Sequence, residues 1–196
     1  MRLSASELVL DRQAYEERRT AARDRMIPLR RERRLRLGDL VACEFENAET
    51  LLYQVQEMIY AEGISDADEA AAEVDAYARM LPSSHELCCT LFVELEDPRT
   101  VRDELTRLAG LHRSLAIEVG GERASGVEIV GVDEEGPSEE TYSVHFLRFR
   151  FSDVARDAFR DPSVPASLVV DHPAYSDEVP IEGSARLSLL ADLALP

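Results

Sequence analysis

The chain has 196 residues, 45% hydrophobic and 31% charged, with a formal net charge of −17. That composition suffices for one hydrophobic core and excludes disordered and collagen-like chains. There is no apolar run of about 18 residues and no apolar secretory core in MRLSASELVLDRQ, so the expectation is one cytoplasmic domain, 1–196, with no membrane span.

The charge is unevenly spread. Residues 1–36 hold 11 arginines and 6 acids, the rest 11 arginines and 33 acids, and there is no lysine. The pattern describes an Arg-rich helical arm, 1–36, on an acidic body. Residues 6–34 have helical spacing at Leu8, Tyr15, Ala22 and Met26, with Ser6 as a cap. Pro28 is expected to break the run into a long helix and a short Arg-rich one. LRLGDLVACEFE (35–46) switches to strand periodicity, with Leu40, Ala42 and Glu44 on one face and Val41, Cys43 and Phe45 on the other.

Asn47 and Glu49-Thr50 start a helix that ends before Gly63, and Asp66 to Met80 forms a second, closed by Pro82. Strands follow at 86–95, 114–119, 126–132, 141–151 and 165–171. Helices interrupt them at 97–110, with Asp97 as cap and Pro98 at the first turn, and at 152–161. Residues 133–140 read as an acidic surface loop, and 183–194 as an amphipathic helix burying Leu187, Leu190 and Leu193. The fold class expected is α+β: a mostly antiparallel sheet of five or six strands with split βαβ-like connections, covered on one face by the N-terminal helices.

No phosphate-binding loop, dinucleotide fingerprint, nucleophile elbow, HExxH or CxxC motif is present, which argues against the well-known enzyme classes. Cys43, Cys88 and Cys89 lie in apolar strand-like runs and read as buried hydrophobes in a reducing compartment; Cys88 and Cys89 point to opposite faces of a regular strand. The polar candidates are few. Glu46, Gln54 and Glu57 fall where a strand meets a helix, as an oxygen-rich metal site or acid/base pair, or as a solvated helix face. His145 alternates with Leu147, Phe149 and Phe151, as a ligand, a base or a hydrogen-bonded core residue. Asp171-His172-Pro173-Ala174-Tyr175 leaves a strand, either presenting His172 and Tyr175 for chemistry or forming a turn fixed by Pro173. His85 and His112 sit in loop-like positions without a pattern. Arg30, Arg31, Arg33, Arg34 and Arg36 form the one basic cluster; an overall charge of −17 opposes nucleic acid, so these arginines are expected to meet the protein's own acids or an acidic partner.

FENAETLLYQVQEM (45–58), VHFLRF (144–149), DHPAY (171–175) and SLLADL (188–193) resemble a bacterial family of unknown function, and the resemblance runs from ELVLDRQAYEERR along nearly the whole chain. Members of that family are encoded beside rubrerythrin-like diiron proteins and heterodisulfide-reductase-like iron–sulfur proteins, so the resemblance implies a redox or peroxide-stress setting and no activity. Two readings follow. One is a non-catalytic accessory protein docking a redox partner through Arg30, Arg31, Arg33 and Arg34. The other is a metal- or cofactor-binding protein, perhaps an enzyme, with Glu46, Glu57, His145 and His172 as candidate ligands.

Overall fold

A computed structural model describes residues 3–95, 97–129 and 142–193. Eight strands form one sheet: β1 (Arg34–Leu37), β2 (Val41–Glu46), β3 (Glu86–Val93), β4 (Leu115–Val119), β5 (Glu122–Glu128), β6 (Val144–Arg150), β7 (Ala166–His172) and β8 (Tyr175–Pro180). Their order is β1-β2-β3-β6-β5-β4-β7-β8, and every pairing is antiparallel. The sheet curls until its two edges meet, because the Tyr175 hydroxyl donates to the Leu37 carbonyl at 2.5 Å and accepts from the Leu40 amide at 3.3 Å. It is a nearly closed barrel.

This corrects the expected fold. Five or six strands become eight, and no βαβ crossover exists among the described residues, since every strand pairs antiparallel with its neighbours even where helices join consecutive strands. Two strands escaped the sequence reading. Gly38-Asp39 turns the run 35–46 back on itself as β1 and β2, and the residues after DHPAY form β8, whose mixed polar pattern hides a strand exposed on one side.

The barrel interior holds the alternating apolar residues of each strand, among them Cys43, Phe45, Cys89, Leu91, Ile117, Leu147, Phe149 and Leu168. Burying a side chain of this size contributes roughly 1.5–3 kcal/mol, so this row is the main source of stability. Gly126 belongs to it: a Cβ there would meet the Phe149 ring at 3.1 Å and the Leu115 carbonyl at 3.3 Å, so glycine lets Phe149 fill the middle of the barrel. Cys88 points outward and Cys89 inward, as strand alternation requires, and all three cysteines are free and buried.

Helices cover the outside. α1 (Arg12–Arg33) runs unbroken through Pro28, whose missing N–H costs one helical bond, to the carbonyl of exposed Asp24. The helix starts at the Asp11 cap, later than expected, while Ser4 caps a separate 3-10 turn, Ala5–Glu7. α2 (Ala48–Glu62) is held by an Asn47–Thr50 capping box, and α3 (Ala67–Ala78) by Asp66. α2 and α3 share a second apolar cluster with Leu3, Leu51, Ile59, Val74 and Met80. α4 is only Val101–Arg107, because the Asp97 side chain bonds the Arg99 amide instead of capping a longer helix. α5 (Asp153–Arg160) is capped by Ser152.

α6 (Gly183–Leu193) buries Arg186, Leu189, Asp192 and Leu193; of the expected leucine stripe Leu193 is buried and Leu190 packs against the core, whereas Leu187 is 70% exposed. The charges explain the choice. Arg186 donates to the Ala158, Phe159, Asp161 and Val164 carbonyls at the end of α5. Asp192 pairs with the buried Arg33. No helix among the described residues is long and apolar enough to cross a membrane. The acidic run 133–140 lies outside the described residues.

Candidate metal centre

The residues singled out from the sequence separate into three places. Glu46 ends β2 on the outer barrel face and is 1% exposed, beneath the first turn of α2. Its carboxylate accepts from Thr50 Oγ1 and Thr90 Oγ1, both at 2.6 Å, and from Gln54 Nε2 at 2.8 Å. Burial pushes this carboxyl up against the pull of its three donors. With its oxygens thus occupied, the group fastens α2 to the sheet. Glu57 lies elsewhere, facing α1, where it accepts from Tyr15 Oη at 2.7 Å and Arg19 Nη2 at 2.7 Å; the Arg19 bond holds its carboxyl below the usual range.

The basic cluster is largely taken up internally. Arg30 pairs with Glu44, Arg34 with Glu44 at 2.9 Å and Glu94 at 2.5 Å, and Arg36 with Glu94 at 2.5 Å. Arg33 is buried, donating to the Phe45 and Glu46 carbonyls, Ser188 and Asp192. Arg31 is exposed.

His145, His172 and Tyr175 gather at one mouth of the barrel, with different roles. Tyr175 closes the sheet, as described. His172 Nε2 donates to the Ala109 carbonyl at 3.0 Å while its Nδ1 accepts from the Ala174 amide at 3.2 Å, so both nitrogens fix the turn. Asp171 is exposed opposite Ser176.

His145 is the inner-face residue of β6 after Phe149 and Leu147, and the barrel's apolar filling ends there in an imidazole. Its Nε2 accepts from the Tyr142 amide at 3.1 Å, so Nδ1 carries the proton and donates to Glu128 Oε1 at 2.8 Å. Above it lies His112, in the 3-10 turn Leu111–Ser114 that plugs the mouth. The two rings are stacked, with centroids 4.2 Å apart and planes inclined at 19°. His112 Nε2 is 3.7 Å from Glu128 Oε2, beyond hydrogen-bond range. His112 is 1% exposed, and neither ring nitrogen has a hydrogen-bond partner among the described residues. Burial and the neighbouring His145 push its pKa down to about 4, so the ring is neutral with a lone pair available.

One donor atom from each of His112, Glu128 and His145 lies within 4.8 Å of the others. Bond lengths of about 2.0–2.2 Å set adjacent donors on a transition ion about 3–3.4 Å apart, close to the 2.8 and 3.7 Å found here. Sequence reasoning found only His145 of the three. His112 has no periodicity around it. Glu128 is hidden by inversion: in VEIV the hydrophobic residues suggest the inward face, yet Val127 is 65% exposed and Glu128 shares the face of Leu147.

The chain matches, over residues 2–193, the model of a family described as protein of unknown function (DUF3501). A solved structure, a novel protein of unknown function from Burkholderia pseudomallei K96243, is similar at 31% identity with a TM-score of 0.89, covering 98% of this chain and 100% of that one. No curated protein matches.

Proposed function

The chain belongs to the DUF3501 family of unknown function, and from that premise we propose that it is a metal-binding protein, with His112, Glu128 and His145 holding one divalent first-row transition ion at the barrel mouth. One observation carries the reading: a fully buried imidazole, His112, has two nitrogens without a hydrogen-bond partner among the described residues and faces a carboxylate and a second imidazole. Leaving such a group unpaired costs about 1–3 kcal/mol, which a bound metal removes. Two imidazoles and one carboxylate are the donor set of mononuclear iron(II) sites and also suit zinc and manganese.

Coordination asks the rings to turn out of their stack until their lone pairs converge beside Glu128. Binding through His145 Nδ1 would move the ring proton to Nε2, ending both the bond to Glu128 and the one from the Tyr142 amide. The bond to the carboxylate is worth about 1.5–3 kcal/mol and the one from Tyr142 about 1, well below the roughly 10–16 kcal/mol of structural zinc in zinc-finger peptides. Three protein donors leave coordination positions open, the arrangement of a ligand-binding or catalytic ion rather than a structural one. The reading sets the protein in a reducing cytoplasm, which three free, buried cysteines suit.

Calorimetric titration of the chelator-treated full chain with zinc tests this. One site per chain in the wild type, weakened at least about a hundredfold by Glu128→Ala, is the expected result. Equal zinc affinity in wild type and variant contradicts it.

A further inference from the structure

We infer that His172 is a positioning residue for the metal centre: it holds no ion itself, and it sets the site's affinity by fixing the main chain that carries His112. The inference rests on the metal reading above and names what regulates that site from outside its ligand set.

His112 reaches the barrel mouth on one continuous hydrogen-bonded segment. The Leu108 amide donates to the Glu104 carbonyl, the Leu111 amide to the Leu108 carbonyl and the Arg113 amide to the Gly110 carbonyl, each at 2.9 Å. Gly110, at φ +83°, makes the bend between α4 and the 3-10 turn Leu111–Ser114. Leu108 and Leu111 are wholly buried in the barrel core. Apolar contact is non-directional, so these two leucines set the depth of the segment and leave its orientation to hydrogen bonds.

Two such bonds tie the segment to the turn between β7 and β8. Arg107 Nη1 donates to the Ala174 carbonyl at 2.7 Å, and His172 Nε2 donates to the Ala109 carbonyl at 3.0 Å, three residues before His112. The proton arrangement on His172 is fixed by its other neighbour. The Ala174 amide can only donate, at 3.2 Å, so Nδ1 carries the lone pair and Nε2 the proton that reaches Ala109. With both nitrogens engaged, the ring is an orienting group and not a ligand. The turn is anchored in its own right, because Tyr175 bonds Leu37 and Leu40 across the seam of the sheet. Directional bonds therefore run from the closed barrel through His172 to the backbone of His112. Outer groups that orient metal ligands are worth about 10–100-fold in affinity, and a bond acting three residues from the ligand belongs at the lower end.

Two substitutions separate this role from the fixing of the hairpin turn alone. In His172→Asn the amide oxygen takes the place of Nδ1 and still accepts from Ala174, but the shorter side chain brings no donor to Ala109. In His172→Gln the amide nitrogen takes the place of Nε2 and still donates to Ala109. Each chelator-treated full chain is titrated with zinc by calorimetry beside the wild type, with circular dichroism to verify the fold. About tenfold weaker zinc binding in His172→Asn and near-wild-type affinity in His172→Gln is the expected result. Zinc affinity in His172→Asn equal to that of the wild type, or His172→Gln binding no tighter than His172→Asn, overturns the positioning role and leaves the metal reading standing. A wild type that binds no zinc overturns both.

Discussion

His112 lies flat on His145 inside the mouth of the barrel, ring centroids 4.2 Å apart, with no hydrogen bond to either of its own nitrogens from the described residues. Such a residue costs stability in the absence of a ligand. We therefore expect His112→Leu, which keeps a similar volume and removes two unsatisfied polar atoms, to stabilise the chelator-treated protein by about 1–2 kcal/mol in urea unfolding while abolishing metal binding. A variant that is destabilised and still binds metal contradicts the assignment.

Barrel closure depends on Tyr175. Tyr175→Phe removes the bonds to Leu37 and Leu40 and is expected to lower stability by about 1–2 kcal/mol. Gly38→Ala should cost more. Gly38 has φ +57°, and a Cβ there would lie 2.5 Å from Tyr175 Oη and 2.6 Å from Asp177 Oδ2. Thermal unfolding of the two variants gives the comparison; an unchanged midpoint in Gly38→Ala contradicts tight closure.

Arg33 and Asp192 form a buried pair between α1 and α6. Arg33→Met strands the Asp192 carboxylate beneath the helices and is expected to cost about 3–5 kcal/mol; adding Asp192→Leu should recover most of the loss. Urea unfolding of the single and double variants checks this, and an additive double variant counts against coupling.

Burial pushes the Cys88 thiol up to about 11 from an ordinary 9.0. Between those values the unfolded chain has released the thiol proton and the folded chain has not, so stability falls as pH rises from 9 to 11. Cys88→Ala should flatten that fall, as read by chemical unfolding at pH 8, 9 and 10. At pH 8 all three thiols of the folded chain should resist alkylation.

Local signals in the sequence mark α2 through Asn47, α5 through Ser152 and β6 through its alternation, because each depends on neighbours within a few residues. The barrel was not legible. Its closure depends on Tyr175 meeting Leu37 across 138 positions, and β8 carries no hydrophobic alternation of its own. The site was one-third legible: His145 shows itself on an apolar strand face, whereas Glu128 points inward against its hydrophobic neighbours and His112 arrives on a 3-10 turn. Glu46, conspicuous in sequence, is a saturated anchor for α2.

The metal content of the full, untagged chain, measured by mass spectrometry beside that of Glu128→Ala and His112→Ala, tests the central claim most directly. We expect close to one equivalent of a divalent transition metal in the wild type and little in either variant, with circular dichroism unchanged. A wild type that takes up no metal on reconstitution, or variants that retain as much as it does, would contradict the metal centre.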